Sequence, residues 1–338
     1  MNPKFAAHAV FIALLLVLGG CSGGTPEDSG SAGKQPAVSE PHKLSLVLDW
    51  YPNAVHSFLY AAQNNGYFAE QGLQVDIQMP SDSNDALRLV AAGQADLALS
   101  YQPQVLLARS EELPVRSIAA IVRHPLNHLM VRKGSGINRP RDLTGKTAGF
   151  SSIPLYEAML KSMVSYDGGD PRKLKLVDVG FDLVPAITSG HADAIMGGFI
   201  NHEQLILEKQ GYPVVSFDPA DYGVPDYYEL VLVASESGIQ SKTDDLRKLL
   251  DALRKGQEYV QEHPQEALEL LMKQQDETAP LDPEIERQSL KLLLPLMDAG
   301  NQLFGYQDPE SWEHVAQWLR DNALLSGQLA AKDAFINL

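Results

Sequence analysis

"LRLVAAGQADLALS" (residues 87–100) and "VPAITSGHADAIMG" (residues 184–197) carry one pattern twice: an apolar helical turn, a glycine, any residue, Ala-Asp, then an apolar strand. Gly93 and Gly190 stand where a helix ends in a left-handed cap, and Asp96 and Asp193 open the strand that follows. Convergent loop chemistry would give the same short echo, so the surroundings have to decide. Around the first copy the chain alternates between strand 44–48, helix 57–71 stopped by Gly72, strand 73–79, helix 82–92, strand 95–100, short helix 103–109 and strand 115–122. Around the second come strands 129–132 and 145–150, helix 155–166, strand 174–179, helix 183–189, strand 192–196, helix 202–210 and a long apolar strand, 227–234. Such alternation builds largely parallel sheets covered by helices. The expected fold is α/β, two lobes with a groove between them. Residues 43–123 and 236–338 are assigned to lobe I, and residues 124–235, with the hinge crossings, to lobe II. Beyond residue 235 the chain reads as helical at 246–261, 264–274, 284–296 and 309–322. In the last of these, Trp312, Val315, Ala316 and Leu319 recur at helical spacing behind an Asp308-Pro309 start signal.

The chain has 338 residues, 44% of them hydrophobic, ample for cores of this size. Its formal net charge of -16 leaves no basic footprint for nucleic acid and disfavours a strongly anionic ligand. Lys4, an apolar run over residues 9–18 and Leu18-Gly19-Gly20-Cys21 have the layout of a secretory signal over residues 1–20, too short to span a bilayer. Cys21 is the only cysteine, so no intrachain disulfide can form. Its setting resembles a bacterial lipobox, in which the cysteine is lipidated and becomes the new amino terminus. Residues 21–42 then read as a lipid-anchored flexible tether, too rich in Ser, Gly, Pro and Glu to offset the entropy of ordering. The expected location is the outer face of the cytoplasmic membrane.

Ligands of α/β proteins collect at the carboxyl ends of strands. In "VLDWYPNAVHSFLYAAQNNGYF" (residues 47–68) a strand ends in Asp49-Trp50-Tyr51, with Asn53 and His56 just beyond. Ser100, Tyr101 and Gln102 close the third strand. Phe150, Ser151 and Ser152, then Gly197, Gly198, Phe199 and Asn201, close two strands of the second lobe. Tyr222, Tyr227, Tyr228 and Glu229 lie at the second crossing. Aromatic residues are 7% of the chain yet gather at these ends, where flat faces can stack on a planar ligand for about 0.5–1.5 kcal/mol each. Glu229, in "DYYELVLVA", sits in a run too apolar to hold a charge without a donor partner. The exocyclic amine of a 4-aminopyrimidine would donate to it, as would a nearby Lys or Arg. Tyr227 and Glu229 share one strand face and Tyr228 takes the other, so the tyrosine that faces the groove stays open.

Catalytic and metal signatures are missing. No GxxxxGK[ST] loop occurs, and the one G-x-S-x-G match, Gly20-Cys21-Ser22-Gly23-Gly24, falls where the signal meets the tether and not at a strand-to-helix elbow. His124 and His128 stand four apart, but Pro125 between them disfavours a shared helix face and no third ligand follows at metal spacing, so no metal site is expected.

With these residues in place, the chain resembles the type II periplasmic-binding-protein fold, the solute receptors of ABC importers, over residues 43–338. Within it, "LDWYPNAVHSFLYAAQNNGYFAEQGLQVDI" (residues 48–77) resembles the opening of the family of thiamin-pyrimidine receptors and pyrimidine synthases. Pro125-Leu126-Asn127-His128, "VDVGFDLVPAITSG" (residues 177–190) and "DYGVPDYYELVLVAS" (residues 221–235) are similar to its receptor branch. The resemblance implies a monomeric receptor without cofactor that captures N-formyl-4-amino-5-aminomethyl-2-methylpyrimidine for thiamin salvage and passes it to a permease and ATPase. The site it implies comprises Trp50, Asn53, His56, Ser100, Tyr101, Ser151, Phe199, Asn201, Tyr222, Tyr227, Tyr228 and Glu229. The enzyme branch requires a lysine and a histidine just after the third strand, where this chain has Ser100 and Gln104 in "LALSYQPQ", and a cysteine-rich run where it has Tyr227, Tyr228, Glu229 and Val231. Those departures speak against catalysis. Riboflavin or an alkanesulfonate is the alternative ligand.

Overall fold

The computed structural model describes residues 40–338 apart from 83–84, 276–279 and 326–328. The signal segment, Cys21 and the tether as far as residue 39 lie outside the described residues. The first series comprises β1 (His42–Val47), α1 (Ser57–Asn64), α2 (Tyr67–Glu70), β2 (Leu73–Gln78), α3 (Ala86–Ala91), β3 (Leu97–Ser100), α4 (Gln102–Ser110) and β4 (Val115–Val122). The second comprises β5 (Asn127–Arg132), β6 (Thr147–Phe150), α5 (Pro154–Tyr166), β7 (Lys175–Asp178), α6 (Leu183–Thr188), β8 (Ala194–Phe199), α7 (Glu203–Lys209) and β9 (Val214–Phe217). The chain then returns through β10 (Leu230–Ser235) to five helices: α8 (Glu236–Ser241), α9 (Thr243–Glu262), α10 (Pro264–Met272), α11 (Pro283–Met297) and α12 (Pro309–Asp321).

Two five-stranded sheets result, ordered β2-β1-β3-β10-β4 and β7-β6-β8-β5-β9. They are copies of one plan. In the first, β1 runs parallel to β2 and β3 while β10 is antiparallel to β3 and β4. In the second, β6 runs parallel to β7 and β8 while β5 is antiparallel to β8 and β9. The Ala-Asp echo does the same job in each. Asp96 Oδ2 accepts from the Ser45 backbone N–H at 2.9 Å, and Asp193 Oδ2 accepts from that of Thr147 at 2.9 Å. Each aspartate thus ties its own strand to the neighbouring parallel strand, which makes the echo a shared structural device.

Three sequence expectations change. The strand read as 227–234 and placed in lobe II is Leu230–Ser235 and lies in the first sheet, between β3 and β4. All six of its residues are buried, as a continuous apolar strand requires when both of its faces are covered. The second crossing therefore ends before Leu230. The helix read as 57–71 is two helices, because Gly66 adopts φ 78, a left-handed conformation that a helix cannot continue through. The short edge strand β9, half-exposed along most of its length, has no counterpart in the sequence pattern. The tail of the chain reaches the first sheet: the Ser117 and Ala120 N–H groups of β4 donate to the carbonyls of Ala334 and Gly305, each at 2.9 Å. Those bonds cover an otherwise open sheet edge.

Candidate functional site

Where β1, β3, β6 and β8 end, the lobes close on a chamber of about 10 Å³, roughly the room of one water. The first lobe contributes Asp49, Trp50, Asn53 and Tyr101; the second contributes Ser151, Tyr156, Gly197, Phe199, His202 and Glu203. Asp49 is held on both oxygens, Oδ1 by His56 Nε2 at 2.9 Å and Oδ2 by the Tyr101 hydroxyl at 3.0 Å. His56 Nδ1 accepts from the Asn53 backbone N–H at 3.2 Å, which puts the ring proton on Nε2, toward Asp49. Asn53 caps the turn Ala54–His56, its side chain accepting from the Val55 N–H at 3.0 Å. The Trp50 ring meets Phe181 of the opposite lobe edge-on, centroids 4.4 Å apart, and Tyr51 at 5.6 Å.

On the other wall, Glu203 Oε2 accepts from the Phe199 N–H at 2.8 Å and Oε1 faces His202 Nδ1 at 2.9 Å. His202 Nε2 lies 3.9 Å from Glu286 Oε1 of α11, whose Oε2 accepts from the Ala54 N–H at 2.7 Å. Burial alone would lower the His202 pKa, but the carboxylates of Glu203 and Glu286 outweigh it and hold the imidazole above its ordinary value. Burial pushes Glu286 up, with His202 opposing. Lobe II's imidazole thus bridges carboxylates from both lobes. Nearby, Asn201 Nδ2 donates to Ser289 Oγ at 2.9 Å, and Lys209 pairs with Asp282. Gly197 has φ +102, and a Cβ there would lie 2.6 Å from Ser151 Oγ and 3.0 Å from the Tyr156 ring. Only glycine lets β8 come this close. Ser151 Oγ, the Tyr156 hydroxyl and the Trp50 indole N–H are buried without a hydrogen-bond partner among the described residues. Each such group costs about 1–3 kcal/mol until something satisfies it.

A larger groove of about 860 Å³ shares His202 with the chamber and opens outward between the lobes. Tyr51, Met79 and Pro80 line it from one side, Phe181, Asp182 and Lys209 from the other, with Asp282 and Glu286 of lobe I beyond.

Five residues of the implied site meet at the chamber, Trp50, Asn53, Tyr101, Ser151 and Phe199, together with Asp49 and Gly197 from the other strand-end candidates. His56 stands behind Asp49, and Ser100 donates to Gln104 Oε1 at 3.0 Å. Asn201 is buried on the α11 side. Two tyrosines face elsewhere. Tyr222 packs edge-on against Phe217, centroids 6.2 Å apart. The Tyr228 hydroxyl accepts from the Asp308 N–H at 2.9 Å, with the Arg123 guanidinium over its ring at 5.2 Å. In the extended segment ahead of β10, Tyr228 turns to the helical tail while Tyr227 and Glu229 stay together. Tyr156, His202 and Glu203 are site residues that sequence reasoning missed. Tyr156 reads as part of an apolar helix stripe, although its place in the first turn after β6 was the available signal. Glu203 and His202 come just after a strand end, as Asp49 does.

Glu229 occupies the hinge. It is fully buried, and its Oε2 accepts from the backbone N–H groups of Leu126 (2.6 Å) and Asn127 (2.8 Å) and from the Tyr227 hydroxyl (3.2 Å). One oxygen of the second crossing therefore fastens the first. Its other oxygen, Oε1, has no hydrogen-bond partner among the described residues. Burial pushes the carboxyl up to about 7 against the pull of those donors, and its charge is felt by Tyr101 and Tyr156 of the chamber. Among the described residues no group of three or more His, Cys, Asp or Glu is arranged to hold a metal ion.

The fold recurs in the alkanesulfonate-binding protein SsuA from Xanthomonas axonopodis pv. citri bound to MOPS, with a TM-score of 0.69 at 12% identity over 89% of this chain and 100% of that one. By sequence, the chain is 48% identical over 296 residues to a formylaminopyrimidine-binding protein of Halalkalibacterium halodurans, covering 87% of this chain and 90% of that protein. It is 28% identical over 232 residues to a 4-amino-5-hydroxymethyl-2-methylpyrimidine phosphate synthase of Legionella pneumophila, covering 68% and 72%. The model of the family described as NMT1/THI5 like matches residues 53–267. With a matching family model over most of its length and a relative of this identity along nearly all of it, the chain belongs to the NMT1/THI5-like family.

Proposed function

We propose that this chain is the extracytoplasmic solute-binding lipoprotein of an ABC importer, and that it closes its lobes over N-formyl-4-amino-5-aminomethyl-2-methylpyrimidine for thiamin salvage. The observation that carries the reading is the chamber. Aromatic faces from both lobes, buried hydroxyls without partners and fixed carboxylates converge where strands from two similar sheets end. A planar, donor-bearing heterocycle has the matching chemistry: rings stack, ring nitrogens accept from Ser151 and Tyr156, and an exocyclic amine donates to a carboxyl. Glu229 Oε1 is the acceptor proposed for that amine. The similarity to a formylaminopyrimidine-binding protein supports the same ligand. A chamber of about 10 Å³ is too small for a pyrimidine, so entry requires the lobes to part about crossings 123–126 and 218–229, a hinge motion, and the ligand then favours closure by bridging both lobes. Asp49 and Glu203 oppose a sulfonate, which would need cationic or oriented N–H donors in their place. Lipid attachment at Cys21, the 21–42 tether, delivery to a permease and ATPase, and the monomeric state belong to this proposal. Lobe II, in the same reading, runs from the first crossing to the end of the second.

A thermal-shift panel on the full chain tests it, using formylaminopyrimidine, 4-amino-5-hydroxymethyl-2-methylpyrimidine, riboflavin and taurine. A ligand at 100 times its Kd adds about 2.7 kcal/mol. Stabilisation by the formylated pyrimidine supports the reading; stabilisation by riboflavin or taurine alone would replace the ligand and discard the role given to Glu229.

A further inference from the structure

We infer that the cleft selects its pyrimidine by the charge of the 5-substituent, admitting neutral and cationic forms and rejecting phosphate esters, with Asp182 and Glu286 as specificity-determining residues of the outer groove. The inference rests on the pyrimidine-receptor reading above. The unpartnered Ser151 and Tyr156 hydroxyls fix where a polar ring sits, in the inner chamber. The wall that this chamber shares with the outer groove is His202, so a substituent leaving the ring on that side enters the groove. Space does not limit that substituent: about 860 Å³ accommodates a phosphate arm many times over. Charge does. Asp182, Asp282 and Glu286 line the groove, and the one lysine among its lining residues, Lys209, is paired with Asp282. Inside, Asp49 and Glu203 add two carboxylates. His202 already answers to two of these acids, Glu203 and Glu286, across the lobe boundary. A phosphate dianion placed here meets like charge without a free cation, whereas a hydroxymethyl, formylaminomethyl or ammonium group does not.

The test is competition calorimetry on the full chain with 4-amino-5-hydroxymethyl-2-methylpyrimidine and its phosphate ester, both displacing formylaminopyrimidine. The alcohol should bind and the ester should be weaker by about 100-fold or more. In Asp182→Asn/Glu286→Gln the gap, read as the ratio of the two affinities, should narrow by about tenfold. Asp182→Asn alone, at an exposed position, covers the case in which the double variant fails to fold, and should narrow the gap in the same direction. An ester within threefold of the alcohol would overturn the inference, as would a gap unchanged in the single variant. Loss of alcohol binding while formylaminopyrimidine still binds would overturn it too, since selection by charge must admit the neutral alcohol. If formylaminopyrimidine itself fails to bind, the receptor reading falls first and this one with it.

Discussion

Replacing Glu229 with glutamine should alter how stability depends on pH, and by an amount the hinge geometry sets. The carboxyl is fully buried, with Oε2 on two backbone N–H groups of the first crossing and Oε1 unpartnered, and its pKa stands at about 7 against an ordinary 4.5. A carboxyl whose pKa is higher folded than unfolded binds its proton more tightly in the folded state. The stability it contributes is therefore full below pH 4.5 and is lost as pH rises through about 7. That interval, at about 1.36 kcal/mol per tenfold change in proton affinity, amounts to about 3 kcal/mol. Glutamine keeps an acceptor for Leu126 and Asn127 and never ionises. Urea melts of wild type and Glu229→Gln at pH 4.5, 6 and 8 measure the effect. The difference in unfolding free energy should move by about 3 kcal/mol in favour of the variant between the lowest and highest pH. Parallel curves would refute the account, since a carboxyl that ionises without cost is not buried against the hinge as described. The same variant tests the proposed pairing with the ligand's amine, whose loss should cost about 1.5–3 kcal/mol of affinity at pH 8.

The chamber sets three further outcomes. Trp50→Ala should weaken ligand binding by about 2–4 kcal/mol while lowering the free protein's melting temperature less, because its edge-on contact with Phe181 spans the lobes and is forgone whenever they part; calorimetry beside thermal melts measures both. Gly197→Ala forces a side chain into φ +102 and against Ser151 and the Tyr156 ring, and should cost about 3 kcal/mol in urea melts. His202→Gln leaves Glu203 and Glu286 facing without a cation between them, so ligand affinity should fall at least about tenfold and small-angle scattering should show less compaction on ligand addition. In the wild type, raising the pH above the ordinary histidine range should loosen the closed form in the same direction, as the raised His202 pKa is passed.

The two-lobe plan was legible because both sheets repeat one strand–helix rhythm, and its Ala-Asp echo turned out to bond neighbouring strands in each. Strand ends pointed to the chamber for the same reason: Trp50, Tyr101, Ser151 and Phe199 each stand at or just beyond one. What sequence hid was tertiary. Nothing in the run 227–234 says that it returns to the first sheet, because its apolar part, residues 230–234, fits the middle of either. Tyr156 shares its helix with Leu155, Met159 and Leu160, so its periodicity reads as core. Glu229 is legible as a buried acid, but its backbone donors come from residues 126–127, a hundred positions away, and no local pattern announces them.

Calorimetric titration of the full chain with N-formyl-4-amino-5-aminomethyl-2-methylpyrimidine tests the central claim most directly. The expected result is saturable binding at one molecule per chain, lost or strongly weakened in Trp50→Ala. No heat and no thermal stabilisation at millimolar ligand, from protein that melts cooperatively, would contradict it.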